Sequence, residues 1–409
     1  MKSDMETRKD DLRTGEPFWL ETGRITPPHA VLSSGAQNWD VIVVGAGISG
    51  ALTAEALTRA GHRVLIVDRR AAVRGSTPAS TAMIQHEIDV PLSRLIRDSG
   101  RARAEAAWLR SVRAVDDLVK LVQGLKIDCN MERRQALYLA GDDMGGRGLR
   151  AEADARHEAG IKAEFLNAAQ LRDRFGIDRT GGIVSDASAS ANPAQMAAGI
   201  LAAAVEGGAQ LVEHHEITDM AELPGGVALA TAEGRVLTAN HVVFCTGYEF
   251  LPMLKSRSHN ITSTWALASE TRVARPDWLD DFLVWEASDP YLYFRTTLNG
   301  RIIAGGEDED SATRNEDPDL LPIKAKRISD KLSELVGIDI GRPAYVWSAP
   351  FGDTTDGLPI IDRVPGFDSV FAVMGFGGNG ITFSMIASQI VAAAIAGKPD
   401  PDAGIFAFR

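Results

Sequence analysis

Val41-Ile42-Val43-Val44-Gly45-Ala46-Gly47-Ile48-Ser49-Gly50 is the stretch that decides the fold. Four successive β-branched residues without polar alternation read as a strand buried on both faces of a parallel sheet. A Gly-x-Gly-x-x-Gly turn follows at once. Ala51 to Ala60 then places Leu52, Ala56 and Leu57 on one helical face, and Gly61 supplies the stop. Arg63 to Val67 is a second strand, and it ends in Asp68. The glycine pattern alone is a weak signal, but in this setting each member has a task. Gly45 makes the tight turn, Gly47 lets a pyrophosphate approach the backbone, and Gly50 lets helix and strand pack closely. The helix N-terminus, with Ile48 and Ser49, favours the anion, and Asp68 accepts from a ribose diol. Arg69 and Arg70 read as solvated charges, with Arg69 retained as a cofactor contact. A strand–helix–strand unit without a ligand is the alternative.

Beyond Asp68 the chain leaves this pattern through Gly75-Ser76-Thr77-Pro78-Ala79-Ser80-Thr81, a loop whose hydroxyls on Ser76, Thr77, Ser80 and Thr81 are further contacts. Residues 91 to 124 have helical spacing, 135 to 140 reads as a strand, and 148 to 175 as two short helices. Asn192-Pro193 opens a helix that stops at Gly207-Gly208. His241 to Cys245 is another buried strand, ending in Thr246-Gly247. From 260 to 305 the pattern turns antiparallel and aromatic, with a hairpin signal at Asn299-Gly300. Val370 to Met374 is a last parallel strand, running into Gly375-Phe376-Gly377-Gly378-Asn379-Gly380 and a terminal helix. The fold class is therefore α/β, a Rossmann-like body interleaved with an α+β part having a large antiparallel sheet. The expected division is a leader or arm at 1–38, a dinucleotide body at 39–90, 180–250 and 345–409, and a substrate part at 91–179 and 251–344. The leader reads either as mobile or as an arm anchored through Trp19.

Composition narrows the function. Of 409 residues, 43 are Lys or Arg and 55 Asp or Glu, a net charge of −12, which argues against a nucleic-acid surface. Two cysteines, Cys129 and Cys245, exclude a disulfide scaffold and a multi-cysteine metal site, so no metal is expected. The charged N-terminus is no signal peptide, and the longest apolar candidate, Ile386 to Ala396, is too short to span a bilayer. A cytoplasmic location is the expectation.

Four segments in order give a resemblance over about nine-tenths of the chain. Val242-Val243-Phe244-Cys245-Thr246-Gly247 resembles the strand-then-Thr-Gly segment of two-dinucleotide-binding flavoproteins. Gly375 to Phe383 is similar to the C-terminal flavin loop of the D-amino acid oxidase family, which includes glycine oxidase and sarcosine oxidase. Asp356-Gly357-Leu358-Pro359-Ile360-Ile361-Asp362 matches the segment before it, and Gly181-Gly182-Ile183 through Asn192-Pro193 the family's middle segment. The resemblance implies extended FAD and oxidation of a C–N bond of an amine or amino acid by hydride transfer to flavin N5. It implies that Gly377, Gly378, Asn379, Gly380, Ile381 and Thr382 meet the flavin, with backbone N–H groups of the 377 to 381 turn stabilising charge at N1–C2=O.

Departures from the family bear on the substrate. The places of its usual carboxylate clamps hold Phe351, Thr382, Ala82 and Gln85, so an anionic substrate needs another cation. Arg295 is the candidate: Tyr291, Tyr293 and Arg295 alternate onto one face, and a planar donor beside two rings suits a carboxylate. An Arg at the surface end of a strand is the alternative. Gln85 and His86 follow the flavin loop and line the pocket in this reading, although His86 also fits a structural role. The place of the covalent cysteine falls near Ala349, so the FAD is expected to be non-covalent. The electron acceptor stays open between O2 and a quinone or other carrier, and so does the oligomeric state. A 2-hydroxy-acid dehydrogenase and an accessory flavoprotein subunit are the competing functions.

Overall fold

The computed structural model describes residues 12–22, 27–30, 38–249, 251, 254 and 258–409. Of the leader, residues 1–11, 23–26 and 31–37 lie outside the described residues. Two sheets carry the fold, one of eight strands and one of ten.

The parallel part of the eight-stranded sheet runs Gln210–Val212, Val64–Val67, Asn38–Val44, Val236–Phe244 and Val370–Met374. The decisive run lies at its centre, and Val41, Ile42 and Val43 are wholly buried because both faces are covered. Val41 and Val43 face the helices, among them Ile48–Arg59, Pro193–Glu206 and Gly380–Ile395. Ile42 and Val44 face the opposite way, toward the antiparallel pair Ile217–Leu223 and Gly226–Thr231. Leu52 and Leu57 on the first helix are buried in the helical layer, each contributing about 1.5–3 kcal/mol. Residues Gly377–Ile395 are long and apolar enough by composition to cross a bilayer, more than the sequence reading allowed. Most of that segment is buried against the first helix and the helix Arg101–Gly124, so its apolarity serves the core.

The ten-stranded sheet begins at Thr14–Gly15 and continues through Tyr345–Thr354, His259–Ala268, Ile302–Glu309, Leu292–Thr296, Phe282–Glu286, Glu132–Leu139, Gly181–Ser190 and Met83–Ile84, with Ala163–Asn167 also paired to Gly181–Ser190. Its outer face packs on the helix Leu320–Val336 through Trp265, Leu267, Phe294, Ile328 and Leu332. Three corrections follow. Gly181–Ser190 and Tyr345–Thr354 belong to this sheet, so the expected dinucleotide segments 180–250 and 345–409 start too early. The first of these strands is rich in Gly, Ser and Ala, which carry no strand periodicity, and pairing on both sides overrides propensity. Ala163–Asn167, within the stretch read as two helices, is a strand.

Residues 12–22 lie across the body. Thr14 and Gly15 pair antiparallel with Ser348 and Trp347 on the edge strand. Gly15 sits at φ +77°, and a Cβ there would fall 2.3 Å from the Val346 carbonyl oxygen. Phe18 and Trp19 are buried, and Trp19 Nε1 donates to the Ser80 carbonyl at 2.8 Å.

Candidate active site

A cavity of about 730 Å3 is lined at one end by the glycine turn and at the other by the inner face of the large sheet. At the first end, Gly47 caps the helix with φ −85° and ψ −168°, and a Cβ there would meet only Thr77 Oγ1, at 3.0 Å. A Cβ on Gly50 would lie 1.8 Å from the Gly45 carbonyl oxygen. Gly50 therefore serves contact between helix and turn and does not line the cavity, whereas Gly47 leaves its space open toward it. Thr77 Oγ1 accepts from the Ile48 N–H at 3.0 Å, and no acidic side chain occupies the first helical turn. Thr246 lines the cavity, and its Oγ1 is buried without a hydrogen-bond partner. An open glycine at a helix N-terminus beside an unsatisfied hydroxyl is a donor set that fits a diphosphate.

Asp68 Oδ2 accepts from the Ala46 N–H at 2.6 Å and Oδ1 from the Arg70 N–H at 2.8 Å, while burial pushes its carboxyl above the usual range. Arg69 and Arg70 are not solvated. Both pair with Glu249, Arg70 Nη1 at 2.7 Å, and Arg69 also approaches Glu216 at 3.7 Å. The other expected contacts that line the cavity are Gly45, Ser49, Ser76, Ser80, Thr81, Gly247, Gly377, Gly378, Asn379, Gly380 and Ile381. Thr382 does not, because its hydroxyl donates to the Gln85 carbonyl at 2.8 Å and ties the last helix to the loop.

The second glycine turn holds a partner that sequence reading missed. The Gly378 N–H donates to Asp89 Oδ2 at 2.7 Å, and Asn379 Nδ2 donates to the Glu87 carbonyl at 2.8 Å and to Asp89 Oδ1 at 3.2 Å. One donor of the 377 to 381 turn is thus committed to a carboxylate of this chain. Burial raises the Asp89 carboxyl to about 6, with Asp353 and Asp308 adding to the rise.

Of the four expected catalytic residues, Gln85 and Tyr293 line the cavity, and His86 and Arg295 do not. His86 is wholly buried, its ring edge-on to Trp108, with neither nitrogen hydrogen-bonded. Burial pulls its pKa down to about 4, so the imidazole is neutral. Arg295 donates to the carbonyls of Thr81 at 2.7 Å, Ala191 at 2.9 Å and Thr296 at 3.1 Å. Its guanidinium lies 5.1 Å from the centre of the Trp19 ring. Burial pulls its pKa down to about 9. The arm and the flavin loop consume this side chain, and the clamp assigned to it is not formed. Phe351 and Gln85 line the cavity at two of the family's clamp positions. Among the described residues, the only Lys or Arg that line it are Arg69 and Arg70, at the dinucleotide end.

A buried network beside the cavity was also missed. Glu87 lines the cavity and pairs with Arg156; Ser185 Oγ donates to Glu87 Oε1 at 3.0 Å, and Trp285 Nε1 to Oε2 at 2.7 Å. Arg156 Nε also bonds Glu152 at 2.8 Å. Burial disfavours the Glu87 charge, but the Arg156 guanidinium outweighs it and holds the carboxyl below its usual range. The i,i+4 spacing of Glu152 and Arg156 was readable; their meeting with Glu87 depends on tertiary structure.

Comparison with known proteins agrees with this geometry. "Probable oxidoreductase OrdL" of Haemophilus influenzae is 22% identical over 88% of this chain and 84% of its own length. The glycine oxidase of Bacillus licheniformis is 22% identical over 91% of this chain and 97% of its own. The crystal structure of glycine oxidase from Geobacillus kaustophilus superposes with a TM-score of 0.77 at 20% identity, covering 91% of this chain and 99% of that one. The family model described as "FAD dependent oxidoreductase" (DAO) matches residues 40–394. Spanning that match, with a dinucleotide turn and a roofed cavity in one body, this enzyme belongs to the FAD dependent oxidoreductase (DAO) family.

Proposed function

We propose that this protein oxidises the C–N bond of an amine or amino acid, with its FAD held non-covalently. The observation that carries the reading is the single cavity joining the Gly45–Gly50 turn to the roof formed by Tyr291 and Tyr293. Two of the three relatives described above are glycine oxidases, which favours a C–N over a C–O bond. FAD, when bound, supplies the hydride acceptor, so that the substrate carbon loses hydride, its nitrogen a proton, and water then hydrolyses the imine.

The chain's own residues bind and enclose. Gly47, the first-turn N–H groups of the helix Ile48–Arg59 and Thr246 Oγ1 would hold the diphosphate, and Asp68 the ribose. The N–H groups of Gly380 and Ile381 lie at the positive dipole end of the last helix and would stabilise negative charge on a bound flavin ring. Tyr293 and Gln85 are the expected substrate contacts. The inner face of the large sheet, Trp285 included, lines one side of the cavity. A covalent link is disfavoured because the Cys245 thiol is packed against Thr53 Oγ1 and burial pushes it up to about 12, while His86 stands outside the cavity. The electron acceptor is O2 or a quinone-type carrier, and a cytoplasmic location fits two buried free thiols.

Anaerobic mixing of the holoenzyme with amines, amino acids and 2-hydroxy acids tests the reading. Bleaching of the flavin band by amines or amino acids is expected, and free FAD should appear in the supernatant after denaturation. Bleaching by 2-hydroxy acids alone, or a protein without flavin, refutes it.

A further inference from the structure

The substrate end of the cavity is acidic in a way the sequence pattern hides. The strand Ile302–Glu309 pairs with His259–Ala268, and between Ser263 and Trp265 the register jumps from Glu309 to Gly306. Three steps on one strand oppose two on the other, which is a bulge of one residue, and Glu307 within it sits at φ +60°. Gly305 faces Tyr293, since a Cβ there would strike the Tyr293 ring, so unbroken alternation would aim residues 307 and 309 at the cavity. The bulge reverses this. Glu307 and Glu309 turn to Lys324 on the outer helix, and Asp308 and Asp310 turn inward.

Asp353 joins them from the strand Tyr345–Thr354, where it pairs in register with Asn260, and Asp89 from the segment after Met83–Ile84, where the second glycine turn holds it. Asp89, Asp308, Asp310 and Asp353 all line the cavity, and none forms an ion pair with a Lys or Arg among the described residues. Asp308 Oδ1 and Asp353 Oδ1 are sealed from solvent and have no hydrogen-bond partner. Lys324, whose charge acts on Asp308 from the outer helix, is committed to the Glu307 carbonyl at 2.8 Å and to Glu309 at 2.8 Å. A second, independent feature is aromatic. Tyr291 and Tyr293 lie 5.6 Å apart, ring centre to ring centre, and both line the cavity beside Asp308, whose carboxyl faces the Tyr291 hydroxyl.

Carboxylates that line one cavity without an ion-paired Lys or Arg, beside aromatic faces, make a site for an ammonium group. We propose that the substrate is an amine with a second ammonium group remote from the oxidised nitrogen, and that Asp89, Asp308 and Asp353 bind that second ammonium. The inference rests on C–N oxidation as the reaction and names the substrate class within it. A simple amino acid would bring its carboxylate toward these acids with no cation to offset it, at a cost in binding.

The test uses the holoenzyme under anaerobic conditions, with α,ω-diaminoalkanes and triamines, monoamines of matched length, and glycine, N-methylglycine and proline as probes. Diamines or triamines should bleach the flavin with a kcat/KM at least about tenfold above matched monoamines and amino acids. Asp308→Asn should raise KM for the diamine about tenfold or more and leave that of the monoamine within twofold, a split that a merely structural effect would not give. Without turnover, an alkane-bis(trimethylammonium) dication should perturb the flavin spectrum where acetate does not. Amino acids that bleach as efficiently as diamines overturn the substrate class and leave C–N oxidation standing. An equal effect of Asp308→Asn on both amines overturns the role of Asp308. Bleaching by no amine or amino acid overturns both readings.

Discussion

Replacing Gly47 and Gly50 separately by Ala tests the division of labour in the first glycine turn. At Gly50 the added methyl would lie 1.8 Å from the Gly45 carbonyl oxygen and 2.9 Å from its carbon, both backbone atoms, so helix and turn must separate. Overpacking of this kind costs about 1–3 kcal/mol and outweighs the roughly 1 kcal/mol that Ala gains over Gly inside a helix. At Gly47 the methyl meets only Thr77 Oγ1 at 3.0 Å, and φ is negative, so the fold loses at most about 1 kcal/mol, chiefly the N-cap preference. The same methyl fills the approach to the backbone, and an overpacking cost of about 1–3 kcal/mol now falls on binding, weakening FAD by about 5- to 150-fold. Thermal melts of both apo-proteins, with FAD titrations followed by flavin fluorescence, separate the two effects. Gly50→Ala should lower Tm by up to about two degrees and keep its flavin; Gly47→Ala should lower Tm by about one degree or less and lose flavin. A Gly47→Ala variant with unchanged FAD affinity would refute the assignment.

Three further outcomes are expected. Arg295→Lys keeps the charge but cannot reach the Thr81, Ala191 and Thr296 carbonyls together, so it should cost about 2–4 kcal/mol of stability in denaturant melts while leaving substrate KM unchanged; a large KM rise at full stability would restore the clamp. His86 has a folded pKa of about 4, below that of the unfolded chain, so the unfolded state takes up the proton first and stability rises with pH between about 4 and 6.5, by about 3 kcal/mol for this group, with Glu87, Arg156 and Asp186 facing it. His86→Leu should flatten that part of the stability–pH curve, and an unaltered slope counts against the argument. Trp19→Ala removes a buried ring and its bond to Ser80, which should lower stability by about 3–5 kcal/mol and speed proteolysis of the arm; an unchanged melt would show that the arm contributes nothing.

The readable parts of this chain were those where one local requirement dictates the residue. The Gly45–Gly50 turn needs glycines at fixed offsets, and Val41 to Val44 needs burial on both faces, so neighbours in sequence suffice. Arg295 shows the limit. Alternation puts it on the same face as Tyr291 and Tyr293, but the position of Trp19 over that face comes from pairing between residues far apart in the chain. Asp308 was missed for a related reason: period-two counting fails at a bulge, and nothing in Gly305-Gly306-Glu307-Asp308 says which strand step is doubled. Asp89 was missed because its partner, the Gly378 N–H, is a backbone group on a distant loop.

The strand order of the eight-stranded sheet has a consequence for synthesis of the chain. Asn38–Val44 leaves the ribosome well before one of its two neighbours, Val236–Phe244, which is made only after much of the large sheet, and Val370–Met374 follows later still. The central strand must therefore wait with one hydrogen-bonding edge unpaired, its apolar side chains shielded at first only by its own helix and Val64–Val67. Pairings this distant are slow to close and leave apolar strands open to other chains meanwhile. Completion of the flavin-binding body therefore waits for Val370–Met374, and the nascent chain's exposure to aggregation is longest at the strand on which the whole fold is centred.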